Sequence, residues 1–202
     1  MFDSILIANR GEIACRIIRT ARAMGIRTIA VYSEADRGAL HVDMASDAVE
    51  IGPAPSAESY LNQDAILAAI EETGAEAVHP GYGFLSENAG FAETLGNAGV
   101  TFIGPPINAI NLMGDKIRSK LAAEEAGVPV VPGFADPVTS GAEAERIAAD
   151  IGFPVMLKAS AGGGGKGMRI AWNDQEAREG FQSSKNEAAS SFGDDRIFIE
   201  KF

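Results

Sequence analysis

The sequence predicts an α/β protein, with a doubly wound parallel sheet first and a small α+β unit after it. Three observations carry this. Ile5-Leu-Ile-Ala8 and Thr28-Ile-Ala-Val-Tyr32 are continuous apolar runs of the buried-strand type, and Ile13, Ile17, Ala21 and Met24 recur at helical spacing between them. A strand–helix–strand opening implies parallel strands joined by a right-handed crossover. Gly104-Pro-Pro106 punctuates the chain near its middle, and beyond it the runs Val155–Leu157 and Met168–Ala171 flank a loop with glycine at 162, 163, 164, 165 and 167.

The remaining elements follow in order. Asn9-Arg-Gly-Glu12 turns the first strand into its helix, which Gly25 ends. Asp47–Ile51 reads as a third strand. Asn62 caps a helix through Thr73, with Gly74 behind it. Ala77-Val-His79 is a strand end, Ser86 is placed as the cap of a helix running to Ala98, and Val100–Ile103 closes the first unit. One helix is expected from about Asn108 to Ala126, then a proline-punctuated connector from Pro129 to Thr139. Ser140-Gly-Ala-Glu143 is a capping box that opens a helix to Asp150. The two strands around the glycine loop follow, then a helix from Asp174 and a last strand at Arg196–Glu200.

Composition excludes several classes. The 202 residues carry a net charge of −11, which argues against a general nucleic-acid surface. The single Cys15 excludes an internal disulfide and fits a reducing compartment. No apolar run approaches the roughly 20 residues that span a bilayer, and no signal peptide is read at the start. A cytoplasmic protein is expected, or a mitochondrial-matrix one after loss of a transit segment.

The chemistry concentrates in the glycine loop. Glycines let backbone N–H groups approach and surround an anion, and Lys158 and Lys166 add positive charge on either side. The guest expected from this is a polyphosphate. Gly162, Gly164 and Gly167 fit G-x-G-x-x-G, but a strand rather than a helix follows. The Walker A pattern fails at Ser160 and Gly167, and a protein kinase places its lysine on a later strand. A plain hairpin tip is the competing reading; five glycines with two lysines weigh against it. Pro80-Gly-Tyr-Gly-Phe-Leu-Ser-Glu-Asn88 leaves a strand end, where open parallel sheets bind ligands. From spacing alone, a ligand loop and a tight turn with a packed tyrosine stand level there. Lys116 reads by itself as a solvated helix lysine, His41 and His79 as structural, and Cys15 as a core residue.

Five stretches together carry a resemblance. Ile7-Ala-Asn-Arg-Gly-Glu-Ile-Ala14, His79–Asn88, Met113-Gly-Asp-Lys116, Lys158-Ala-Ser-Ala-Gly-Gly-Gly-Gly-Lys-Gly-Met168 and Phe198-Ile-Glu-Lys201 resemble, in collinear order over the whole chain, the biotin carboxylase component of biotin-dependent acyl-CoA carboxylases. From Lys158 to Phe202 the chain looks most like the propionyl-CoA type, with the acetyl-CoA type still open. The resemblance implies the ATP-grasp fold. Residues 1–113 would form its Rossmann-like N-terminal domain, 114–132 a helical linker and 133–202 the lid, while the C-terminal ATP-grasp domain would begin past Phe202 and be absent. It implies ATP- and bicarbonate-dependent carboxylation of biotin on a carrier protein, through carboxyphosphate.

The same resemblance implies the site. Lys116 and Lys158 would bind phosphates, Gly164 and Gly165 would present loop amides, Met168 would pack on adenine, and Glu200 and Lys201 would form the hinge beside its amino edge. Tyr82 and Gly83 would lie near biotin, and Arg16 and Arg19 at a homodimer interface. The two glutamates that hold Mg2+, the bicarbonate-binding arginine and the catalytic base would lie downstream, so no catalytic or metal residue is expected here. Implied partners are a biotin carboxyl carrier protein or domain and a carboxyltransferase subunit, with no nucleic acid and no membrane. Residues 1–202 alone are expected to be inactive. Two other readings stand beside this one: another ATP-grasp ligase, such as a carbamoyl-phosphate synthetase-like enzyme, and a non-catalytic truncated binding or dimerisation piece. The His79–Asn88 stretch points away from the first.

Overall fold

The computed structural model describes residues 1–160 and 167–202. The chain divides into two compact units, Met1–Ile110 and Asn111–Phe202.

The first unit runs β1 (Ser4–Ile7), α1 (Gly11–Ala23), β2 (Arg27–Tyr32), α2 (Leu40–Met44), β3 (Asp47–Glu50), α3 (Gln63–Thr73), β4 (Ala77–His79), α4 (Ala89–Asn97) and β5 (Thr101–Phe102). Its five strands are all parallel, in the order β3-β2-β1-β4-β5. β1 is buried along its whole length because both sheet faces are covered. Ile5, Ile7 and Ala77 pack on Ile13, Ile17 and Ile18 of α1. Leu6, Ile29, Val31 and Val78 pack on Ile66 and Ile70 of α3 and Phe91 and Leu95 of α4. The sheet is therefore doubly wound, as expected, and Cys15 is buried.

α5 (Ile107–Gly114) carries the chain across the division. The second unit continues with α6 (Lys116–Glu125), β6 (Gly133–Val138), α7 (Gly141–Ile151), β7 (Val155–Ala159), β8 (Met168–Ala171), α8 (Asp174–Phe192) and β9 (Ile197–Lys201). Its strands form an antiparallel sheet in the order β6-β9-β7-β8. Val155, Leu157, Ala159, Ile197 and Ile199 bury one face against Ala144, Ile147 and Ala148 of α7 and Ala177, Phe181 and Ala188 of α8. Among the described residues no helix is long and apolar enough to cross a membrane.

Three expectations are corrected. α4 starts two residues later than Ser86 implied: Asn88 is its cap, accepting from the Phe91 amide at 2.8 Å, while the Ser86 amide donates to Gly83 O in the preceding turn. The single helix expected from Asn108 to Ala126 is two, because Asp115 leaves helical geometry (φ −102°, ψ 119°) and caps α6 through the Ile117 and Arg118 amides, both at 3.0 Å. The connector holds strand β6, whose Pro137 is tolerated because the strand lies at the sheet edge and its register slips between Phe134 and Val138.

Candidate functional site

In the second unit the pleat selects the residues. Val155, Leu157 and Ala159 point into the core, so Met156 and Lys158 point away from it. Across the ladders, Lys158 stands opposite Met168 on β8 and Phe198 on β9, and Met156 stands opposite Glu200. Lys158, Met168 and Glu200 therefore share the face that α7 and α8 do not cover. The Lys158 ammonium donates to Glu200 Oε1, with only 25% of the lysine side chain and 13% of the glutamate side chain exposed.

α6 brings two more cations to this face. Lys116 Nζ donates to Ser160 O at 3.1 Å. Burial first, and then the charge of Lys158, hold the Lys116 ammonium below the ordinary lysine range, with Asp115 opposing. One turn on, Lys120 Nζ lies 3.9 Å from Glu200 Oε2. Two ammonium groups, those of Lys158 and Lys120, thus flank the Glu200 carboxylate, with the Lys116 ammonium near enough to Lys158 to feel its charge. Asp115, the next acid group, is engaged by Arg196 Nη1 at 3.0 Å. Burial pushes the Asp115 carboxyl up, but the Arg118 amide, Arg196 and the Ile117 amide outweigh it and hold it below the usual range. This pair ties the start of α6 to the residue before β9. Lys116, Lys120 and Lys158 gathered beside a glycine-rich stretch of sequence suit a polyanion. Gly164, Gly165 and Lys166 lie outside the described residues. Gly167 closes the loop at φ +69°, where an added Cβ would stand 2.8 Å from Ala159 Cβ. Lys201 points to the other face, its ammonium donating to Gly152 O at 2.7 Å and Phe153 O at 2.9 Å.

The first unit carries a separate arrangement where its strand order reverses, between β1 and β4, the place at which open parallel sheets form a crevice. Buried Asn9, just past β1, donates to Pro80 O and Tyr82 O, both at 2.8 Å, through Nδ2. Gly81, at φ +66°, fits because a Cβ there would come within 2.8 Å of that nitrogen. The Gly81 amide donates to His79 Nδ1 at 3.0 Å. Tyr82 is 60% exposed, and donation of its hydroxyl to the Glu12 carboxylate raises its phenol above the ordinary range. Phe84 adopts φ 41°, rare for a side-chain-bearing residue, and stacks on Tyr60 at 5.1 Å. Tyr60 in turn donates to Asp36 at 2.7 Å, which pairs with Arg10 at 3.0 Å. Burial and this bond push the Tyr60 phenol up to about 12. Arg16 and Arg19 are exposed, one turn apart on α1.

Sequence reasoning gave no role to Asn9, although it lies in a quoted motif, nor to Lys120. The signal for Lys120 was its spacing: four residues after Lys116 on a helix means the same face.

Residues 1–110 match the family described as biotin carboxylase, N-terminal domain, and residues 115–202 match carbamoyl-phosphate synthase L chain, ATP binding domain. The chain belongs to the biotin carboxylase family. It is 68% identical over 202 residues to the propionyl-CoA carboxylase alpha chain of Ruegeria pomeroyi, covering 100% of this chain and 30% of that one. It is 64% identical over 201 residues to the mitochondrial propionyl-CoA carboxylase alpha chain of Rattus norvegicus, covering 100% and 27%. The chain thus spans under a third of the length of these curated relatives. The biotin carboxylase domain dimer of the Hydrogenobacter thermophilus 2-oxoglutarate carboxylase, solved with MgADP, ADP and bicarbonate, superposes with a TM-score of 0.93 at 50% identity, over 100% of this chain and 44% of that one. The parallel-sheet unit and the small α+β unit are those of the ATP-grasp fold.

Proposed function

We propose that this chain supplies the phosphate-gripping lid and the biotin-side loop of a biotin carboxylase, which uses ATP and bicarbonate to carboxylate carrier-bound biotin in the first half-reaction of a propionyl-CoA-type carboxylase. The observation that carries the reading is the gathering of Lys116, at Ser160 O, and Lys158, at Glu200, beside the glycine-rich loop. In this reading Lys116 and Lys158 hold nucleotide oxygens and offset charge on the phosphoryl group as it transfers to bicarbonate. Gly164 and Gly165 add amide donors. Met168 packs on adenine, and the backbone at Glu200 and Lys201 meets its amino edge. Mg2+ accompanies the nucleotide, as it does ADP in the Hydrogenobacter domain. Asn9 holds the loop that presents Tyr82 and Gly83 to biotin, keeping its carbonyls oriented. A carrier domain and a carboxyltransferase subunit complete the assembly, in cytoplasm or mitochondrial matrix, and Arg16 and Arg19 contribute to a homodimer. Residues 1–202 by themselves bind Mg-ATP weakly and do not carboxylate biotin; micromolar affinity in calorimetry of this piece would refute that.

A second reading is favoured by the match of residues 115–202 to the carbamoyl-phosphate synthase domain. The two separate on bicarbonate-dependent ATP hydrolysis by the complete gene product. Stimulation by free biotin supports the first reading, and indifference to biotin supports the second.

A further inference from the structure

Lys120 has no part in the reading above, yet its setting is unusual. Only 9% of its side chain is exposed, and among the described residues its ammonium has no hydrogen bond. A buried ammonium without a hydrogen bond is costly unless a charge partner completes it. Among the described residues its one counter-charge is Glu200 Oε2 at 3.9 Å, while Glu200 Oε1 is taken by Lys158. One carboxylate therefore stands between two lysines, bonded to one and within about 1 Å of bonding distance to the other. The backbone at Glu200 is fixed opposite Met156, so exchange between the lysines needs only side-chain rotation.

Resting on the nucleotide reading of Lys158, we propose that Glu200 is handed from Lys158 to Lys120 when phosphate oxygens arrive at Lys158. In the empty site Glu200 neutralises Lys158. A phosphate taking over that lysine would leave the carboxylate uncompensated and facing like charge, which opposes binding. Lys120 receives it, losing its own unbonded state in the same step. Lys120 is thus a positioning residue that acts through Glu200 without touching the nucleotide.

The test is calorimetry of Mg-ADP binding to the complete gene product. Lys120→Met weakens binding about tenfold, the scale of one charge-assisted contact, and Lys120→Arg restores most of it. On a Glu200→Gln background, where there is no carboxylate to hand over, adding Lys120→Met changes affinity by less than about twofold. This second comparison stands even if Lys120→Met alone folds poorly. Affinity unchanged by Lys120→Met, or an equal loss with and without Glu200, overturns the hand-off and leaves the nucleotide reading intact. A wild-type protein that binds no Mg-ADP overturns both.

Discussion

Lys158 and Glu200 meet as diagonal neighbours across the β7–β9 pair, two residues out of register on the face turned away from α7 and α8. Antiparallel pairing places such diagonals within reach of long side chains. The ion pair is thus a consequence of strand register, and so is its position beside Met168.

Lys116 gives a pH dependence. Burial and Lys158 hold its ammonium below the ordinary value of 10.5 in the free protein. A bound phosphate opposes both causes and raises it. Nucleotide binding therefore takes up a proton at alkaline pH, and affinity falls as pH rises through the depressed value. Calorimetry in buffers of different ionisation enthalpy detects the uptake, and Lys116→Met removes it. Proton release on binding would contradict the account.

Asp115 is both the cap of α6 and the partner of Arg196. Asp115→Ala lowers stability by about 1–2 kcal/mol, read as a shift of the urea midpoint. The folded carboxyl titrates below its ordinary 3.8, so its stabilisation is complete above that value and is lost as pH falls through the folded one. Asp115→Asn flattens that part of the acid-stability profile.

Asn9→Ala strands two carbonyls, Pro80 O and Tyr82 O, that now share one amide. Stability drops by about 1–3 kcal/mol. The Michaelis constant for biotin rises, while that for ATP changes little, as steady-state kinetics would show.

Gly167→Ala forces a side chain into the left-handed region and against Ala159 Cβ. The backbone term alone costs about 1–2 kcal/mol. We expect a lower melting temperature and a raised Michaelis constant for ATP, with biotin kinetics unaffected.

Much of the fold was legible because its signals are local. Asn62 and Ser140 cap as read, accepting from the Ala65 and Glu143 amides, and Gly74 ends its helix at φ 65°. Ser86 misled because two capping-competent residues lie two apart, and the turn through Leu85 chose between them. The break at Asp115 was hidden by apolar spacing that continues on both sides of it. β6 was missed because its Pro137, in a proline-punctuated stretch, speaks against a strand unless the edge position is known. Of the site, Lys158, Met168 and Glu200 could be named from their motifs. Their common face, and the arrival of Lys120 beside Glu200, depend on the β7–β9 register and the course of α6, which no local pattern encodes.

The most direct measurement is the steady-state kinetics of Lys158→Gln in the complete gene product. The account predicts an ATP Michaelis constant raised about tenfold or more together with a fall in kcat, since this ammonium is assigned to both bound and transferring phosphates. If both constants match those of the unsubstituted protein, Lys158 does not grip a nucleotide and the assignment of this sheet face fails.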